Sequence, residues 1–387
     1  MSSLRAVIAG GGIGGLAAAV ALHQRGFEVL VLERRAEPAG GVALSLWPNA
    51  LRALDRLGVG DRLRGHGALA GASGVRRPDG RWLARSNLGS AITARYGDPL
   101  VLVRRSTLVE SLLGQLPESA VRYGVTATGV SAGGSAQPAV LHAGTDGYEA
   151  DLVVAADGIS SALRGQLFPA ADPPRYAGYT AWRMLVPDPG NAGSSGTQSA
   201  ETWGPDGQRF AILPLADGNC YCYATALRPA ASSDCDEIAE LRRRFGDWHQ
   251  PIPAVLDSLT GTVLRNDIYT LPPLPALHRG RVALLGDAAH AMTPDLGQGG
   301  CQALEDAVEL ATAVSGNRPI EAALSDYTAR RLPRTSAIVR RSAKAGALYT
   351  RPLPAQYLAA RLLGRLPASL IARGLKPVLD WQPPASP

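Results

Sequence analysis

Near its N-terminus the chain reads Leu4-Arg5-Ala6-Val7-Ile8-Ala9-Gly10-Gly11-Gly12-Ile13-Gly14-Gly15, and this stretch decides the fold. Residues 4–9 are a short apolar run of the kind that forms a strand buried on both faces. The glycines follow the pattern Gly10-x-Gly12-x-x-Gly15. An Ala-rich helical run then continues to about Arg25, and Gly26 takes the position just past its end. Glu28-Val29-Leu30-Val31-Leu32-Glu33 is a second apolar strand, which completes a β-α-β unit. In such a unit the first glycine makes a tight turn and the second lets a pyrophosphate approach the backbone. The third lets helix and strand pack closely. The helix N-terminus adds free N–H groups and positive potential. Glu33, at the end of the second strand, is where a carboxylate accepts hydrogen bonds from a ribose. A lone Gly-x-Gly-x-x-Gly is weak, but strand, helix, second strand and terminal acid together point to a bound dinucleotide. Arg34 either lies along that ligand's adenine or phosphates or is a solvated strand end.

Two further strand-to-turn junctions lie downstream. Leu152–Ala156 is an apolar strand running into Asp157-Gly158, with Ser161 and Arg164 following at helical spacing. Val282–Leu285 runs into Gly286-Asp287, then Pro294, then Gly297-Gln298-Gly299-Gly300 at the head of a helix through Ala303, Asp306 and Ala307.

These three motifs, in this order, resemble the FAD-dependent aromatic hydroxylases, the single-component flavoprotein monooxygenases of the para-hydroxybenzoate hydroxylase type. The resemblance runs over essentially the whole chain. It implies tightly bound, non-covalent FAD, transient NADH or NADPH, and hydroxylation of an aromatic or heteroaromatic molecule by O₂ through a flavin C4a-hydroperoxide. A dehydrogenase or reductase on the same scaffold is the alternative. The resemblance places FAD contacts at Gly10, Gly12, Gly15, Glu33, Arg34, Val42, Arg105, Asp157, Arg164, Gly286, Asp287, Pro294, Gly297, Gln298, Gly299 and Gly300. Arg104 competes with Arg105, which is preferred by its spacing to Leu108. Physical chemistry supports the third motif. Backbone N–H groups at Gly297–Gly300, with the helix dipole, suit the negative charge of a reduced flavin. Only one good Gly-x-Gly-x-x-Gly is present, which suits a nicotinamide nucleotide that docks briefly.

Within the family, three strings match the flavin-dependent urate hydroxylase type: Ser45-Leu46-Trp47-Pro48-Asn49, Arg175-Tyr176-Ala177-Gly178-Tyr179 and Pro294–Cys301. That match assigns substrate contact to Arg209, Tyr221 and Asp295. Their alternatives are a strand-end charge, a core aromatic and a helix cap. Ala181 and Arg183 depart from the urate pattern. His290 reads as a structural histidine at a helix start.

The 387 residues are 46% hydrophobic and 19% charged, which excludes a disordered chain. The fold class is α/β: a Rossmann-like FAD-binding domain (1–70, 96–171, 276–387) with an inserted antiparallel-sheet substrate domain (71–95, 172–275) and C-terminal helices. Locally, 38–48 reads as a loop, Asn49 as the N-cap of a helix over 50–57, and 106–116 and 234–245 as helices. Net charge is +6, suited to anionic nucleotides. Arg242–Arg244 and Arg330–Lys344 read as solvated helix faces, so no nucleic-acid partner is expected. Cys220, Cys222, Cys235 and Cys301 lack zinc spacing and read as buried thiols in a reducing cytoplasm, with no metal site. The apolar start is broken by glycines and reads as fold, not as a leader. The Leu- and Arg-containing segment 352–379 is expected to pack over the FAD domain rather than on a membrane. The chain is expected to be a monomer or homodimer.

Overall fold

The structure is a computed structural model that describes residues 3–38, 40–66, 73–189, 199–232, 236–261, 263–316 and 318–385. Cys235 and the expected helix start at Asp234 lie outside the described residues. The strand Arg5–Ala9 sits inside a six-stranded sheet. Across that sheet run His278–Arg279, Val282–Leu284, Leu152–Ala155, Arg5–Ala9, Glu28–Glu33 and Val121–Tyr123. All but the first edge strand run parallel. Ala9 pairs with Ala155, and Ala155 with Leu284. The turns after these three strands therefore emerge side by side at one carboxyl edge, where open α/β sheets bind ligands.

Glycine is required at that edge by contact. A Cβ on Gly10 would lie 2.4 Å from the Ala156 carbonyl oxygen, and φ there is +105°. A Cβ on Gly15 would lie 1.9 Å from the Gly10 oxygen. The helix Ile13–His23 can thus sit down on the sheet and against the helix Gly299–Ala313.

A second sheet has seven strands in the order Leu264–Thr270, Arg175–Pro187, Asn219–Leu227, Arg209–Pro214, Ala200–Trp203, Ser73–Arg76 and Trp82–Ser86. Strand alternation divides its residues cleanly. Trp182, Met184, Phe210, Cys220 and Cys222 face one way, into a core with Leu241, Phe245 and Val255 from the helices Glu237–Phe245 and Ile252–Asp257. Arg183, Glu201, Arg209, Leu213, Tyr221 and Tyr223 face the other way, into a cavity.

Several local expectations are corrected. Residues 43–46 form a strand paired with Val101–Arg104, not loop. Asn49 does not cap a helix: the helix is Pro48–Arg56, capped at Trp47, and the Asn49 amide is buried inside. The helix expected at 106–116 spans Arg105–Leu113, and Asp236 caps the helix Glu237–Phe245. Arg331 is fully buried rather than solvated. The C-terminal helix Leu353–Gly364 packs mainly on the strand Trp82–Ser86 of the second sheet rather than on the nucleotide fold, and Ala368–Gly374 packs on the helix Leu88–Tyr96.

Candidate active site

A cleft of about 270 Å³ opens at the carboxyl edge of the parallel sheet, between the Gly10–Gly12 turn, Glu33 and Asp157-Gly158. Glu33 is buried and held from both sides. Its Oε2 accepts the Gly11 N–H at 2.6 Å and its Oε1 accepts the Arg35 N–H at 2.9 Å. Above Gly12 the space is open, and the nearest atom to an added Cβ is Arg105 Nη2 at 3.9 Å. Arg105 has no ion pair among the described residues, and burial lowers its pKa. Its backbone N–H donates to the Val42 oxygen at 3.2 Å. Arg104, the competing arginine, points elsewhere and pairs with Asp217. One oxygen of Asp157 accepts the Leu163 N–H at 3.3 Å, while Oδ1 is buried without a partner. An open glycine cradle, an unpaired guanidinium and an orphaned carboxylate oxygen fit a phosphate- and hydroxyl-bearing nucleotide. Arg34 is exposed at the rim. Arg164 lines neither this cleft nor the next. Its guanidinium donates to the carbonyls of Ala288 at 3.1 Å and Ile159 at 2.7 Å, tying the second motif to the third.

A larger cavity of about 490 Å³ lies where the two sheets face each other. One wall is Asp287, Pro294 and the Gly297–Gly300 turn, which opens the helix Gly299–Ala313. Gly297 has φ +61°, and a Cβ there would lie 3.0 Å from the Trp47 indole nitrogen. The Gln298 side-chain nitrogen, Nε2, and the Trp47 indole N–H are buried without partners. The site thus presents unsatisfied donors beside a helix N-terminus, which suits the electron-rich edge of a flavin.

The opposite wall is the odd-numbered face of the second sheet. Arg209 is buried, with Nε donating to Thr225 Oγ1 at 3.0 Å. Its Nη1 lies 3.1 Å from Asp295 Oδ1 and 3.5 Å from Glu201 Oε1. The guanidinium is 3.8 Å from the centroid of the Tyr349 ring. Burial disfavours its charge, but Glu201, Tyr349 and Asp295 outweigh burial, so its pKa stands above the usual value. Asp295 accepts a hydrogen bond from Tyr179 at 2.9 Å through Oδ2, while Oδ1 receives no hydrogen bond. Tyr223 donates to Glu201 at 2.8 Å. Burial raises the Tyr221 phenol's pKa, so it stays neutral across the working pH range. Arg209, Tyr221 and Asp295, 86 residues apart in sequence at their extremes, therefore share one cavity.

Glu201, Tyr223 and Tyr349 were not singled out as site residues from the sequence. Tyr223 was accessible to reasoning, since Cys220-Tyr221-Cys222-Tyr223 alternates and both tyrosines must share a face. Tyr349 carries no local signal, because a long helix returns it to the cavity from the far end of the chain.

Behind the turn lies a fully buried ionic network. Arg331 donates to Glu305 at 2.5 Å, Asp306 at 2.7 Å and Gln302 at 2.8 Å. Asn49 donates to Gln298 at 3.0 Å and Glu305 at 2.7 Å. Asp306 accepts from the Gly286 N–H at 3.0 Å and lies 2.5 Å from His290 Nε2. His290 is thus a buried structural partner and lines no part of the larger cavity. Among the described residues no cluster of His, Cys, Asp or Glu could hold a metal ion, and no helix is long and apolar enough to cross a membrane.

The FAD binding domain family model matches residues 3–342, and the chain belongs to that family. It is 36% identical over 350 residues to the aurachin C monooxygenase/isomerase of Stigmatella aurantiaca, covering 89% of each chain. It is also 36% identical over 349 residues to the FAD-dependent urate hydroxylase of Klebsiella pneumoniae, covering 88% of this chain and 89% of that one. The crystal structure of Klebsiella pneumoniae HpxO with FAD and uric acid superposes with a TM-score of 0.89, at 31% identity over 97% of both chains. The resemblance drawn from three short motifs thus holds over the length of the molecule.

Proposed function

We propose that the chain is an FAD-dependent monooxygenase that hydroxylates an aromatic or heteroaromatic small molecule in the 490 Å³ cavity. One observation carries this reading. The turn suited to the flavin and the sheet face that carries Arg209 and Tyr221 are opposite walls of the same cavity, bridged by the buried Arg209–Asp295 pair, so cofactor ring and substrate would meet there. In sum, substrate, O₂, NAD(P)H and a proton give hydroxylated substrate, water and NAD(P)⁺.

FAD, when bound, supplies the activation of dioxygen. In this reading Gly10 and Gly12 admit its pyrophosphate, Gly15 lets the helix close on that turn, Glu33 takes the ribose hydroxyls and Arg105 balances phosphate charge. Gly286 and Asp287 receive the ribityl chain. Gly297, Gln298, Gly299 and Gly300 donate to the pyrimidine edge, and Pro294 borders the ring. Val42 and Asp157 complete the contacts, with Arg34 at the rim. Arg164 acts at one remove, by fixing the Ala288 carbonyl beside Asp287. On the facing wall Tyr221 is a neutral donor, and from the turn Asp295 Oδ1 accepts a hydrogen bond from a ring N–H or hydroxyl. Arg209 pairs with that carboxylate and orients the ring. The walls exclude water from the reacting carbon. Buried thiols, with burial pushing Cys220 and Cys301 up to about 12, suit a cytoplasmic setting. The protomer already holds both walls, so monomer or homodimer would serve.

The test is a substrate screen on the FAD-loaded protein. Expected is NAD(P)H oxidation stimulated by one ring class, with a product heavier by one oxygen. A product lighter by two hydrogens overturns hydroxylation in favour of a dehydrogenase.

A further inference from the structure

The net charge of +6 is unevenly placed. Residues 327–379 hold eleven Arg and Lys and no Asp or Glu, so that stretch is +11 and the remainder, 28 − 33, is −5. Some of this charge is internal, as at Arg331 and Arg334, which pair with Glu305. The C-terminal helices are different. Arg361, Arg365 and Arg373 are exposed and have no ion pair among the described residues. Arg85, on the neighbouring strand Trp82–Ser86, is likewise exposed and unpaired, stacked on the Trp82 ring at 4.3 Å. Arg85, Arg361 and Arg365 line one open surface groove with no carboxylate among its residues.

Leucines are interleaved with these arginines and face solvent. Leu358 is 59% exposed, Leu362 52%, Leu363 49%, Leu366 42% and Leu370 48%. Of the seven exposed large apolar side chains among the described residues, these five fall within thirteen positions. Leu358 and Leu362 are one turn apart on the helix Leu353–Gly364, and Arg361 and Arg365 lie beside them at the same spacing. The opposite face of that helix is satisfied: Ala360 and Tyr357 pack with Leu83, Trp203 and Tyr349. The leucines are therefore not a misplaced core face. Apolar exposure clustered in one short segment in this way marks an interaction site.

We infer that this face docks on an anionic phospholipid surface, with the leucines in the acyl boundary and the arginines on the headgroup phosphates. Charge decides among occupants. A second copy meeting this face about a two-fold axis would set arginine against arginine with no carboxylate to intervene. Nucleic acid would use the arginines but leave five leucines in water. An anionic bilayer satisfies both, because it offers apolar depth beneath a negative surface. The sequence alone pointed away from a membrane, since it does not show which face of the segment remains uncovered. Docking would also bring Tyr349, which lines the cavity, to about one helix diameter, roughly 10 Å, from the lipid. Lipid binding by this face is independent of the chemistry in the cavity.

The test is co-sedimentation of the FAD-loaded protein with vesicles of phosphatidylcholine alone and of phosphatidylcholine containing phosphatidylglycerol. Expected is binding to the anionic vesicles only, weakened by salt. Arg361→Gln with Arg365→Gln should weaken binding by about fivefold per arginine. Leu358→Ser with Leu362→Ser should abolish it while FAD content and flavin absorption stay as in the parent. The proposal is overturned if the parent fails to sediment with anionic vesicles, or if the leucine variant binds as well as the parent. It is equally overturned if the parent binds duplex DNA and no vesicle, or if light scattering shows a dimer that Leu362→Glu splits.

Discussion

Arg209 lies 3.1 Å from Asp295 at the cavity's edge, although one residue belongs to the second sheet and the other to the turn after the parallel sheet. The pair joins the two sheets at the cavity proposed to receive the ring. Without Arg209, Asp295 would be a buried carboxylate with no ion-pair partner among the described residues, whereas Arg209 without Asp295 keeps Glu201. Arg209→Gln should therefore raise KM by about ten- to a hundredfold and uncouple NAD(P)H oxidation from hydroxylation. Asp295→Asn should keep substrate binding closer to the parent and lose mainly kcat, because the amide still fills the space without accepting in the same way. Steady-state kinetics with product quantified against NAD(P)H consumed would check both. Full coupling in Arg209→Gln would remove that residue from the site.

Gly10 and Gly12 are two positions apart and should fail differently. A Cβ on Gly10 meets the Ala156 carbonyl at 2.4 Å with φ at +105°, so Gly10→Ala strains the fold itself. A Cβ on Gly12 meets nothing nearer than 3.9 Å, so Gly12→Ala should fold normally and lose FAD affinity, since only a bound pyrophosphate would feel the methyl. Thermal unfolding of the apoproteins, beside the ratio of flavin to protein absorbance, separates the two. A destabilised Gly12→Ala apoprotein would contradict this reading.

The dinucleotide half was legible because its constraints are local. Strand, glycine turn, helix and Glu33 lie within about thirty residues, and each has its own residue type. The Gly286 to Gly300 stretch was legible for the same reason. What escaped was set by distance in sequence. Asn49 looks like a helix cap in its own neighbourhood. Its actual partners, Gln298 and Glu305, arrive from about 250 residues away. Arg331 lies in a run of arginines that reads as solvated, and only the packing of Ile320–Gly346 against Gly299–Ala313 buries it. Arg164 has the motif's identity but reaches carbonyls rather than the cleft, a matter of side-chain direction that spacing does not encode.

Tyr349 illustrates the same limit and yields a prediction. Its ring stacks on the Arg209 guanidinium at 3.8 Å and meets Trp203 edge-on at 5.0 Å. Tyr349→Ala should raise KM by about two- to thirtyfold through loss of the cation–π contact, and should admit water and lower coupling. Tyr349→Phe retains the ring and should behave nearly as the parent. If Phe and Ala variants were equally impaired, the hydroxyl rather than the ring would be the active part.

The buried network under the Gly297–Gly300 turn sets the acid limit of the folded, FAD-binding state. Burial pushes the Asp306 carboxyl up, but His290 and Arg331 pull harder, and its pKa falls well below the usual carboxylate value. Glu305 is lowered too: burial opposes its charge, and Arg331, Arg334 and Asn49 prevail. A group whose folded pKa is depressed contributes stability that is full above its unfolded value and lost as pH falls toward the folded one. For these two the unfolded values are near 3.9 and 4.3. Their contribution is therefore complete above about pH 5 and disappears in steps below pH 4. Asp306 also accepts the Gly286 N–H, so its protonation should loosen the turn next to Asp287 and release FAD together with the loss of stability. Flavin fluorescence, quenched in the complex and bright when free, should rise below pH 4 along with loss of near-ultraviolet dichroism. Asp306→Asn should cost about 3–5 kcal/mol at neutral pH, because it strands Arg331 with one carboxylate fewer. It should also flatten the acid limb, since one titrating group is gone. An Asp306→Asn protein as stable as the parent at pH 7, with the same acid midpoint, would show that the network is not what holds the turn.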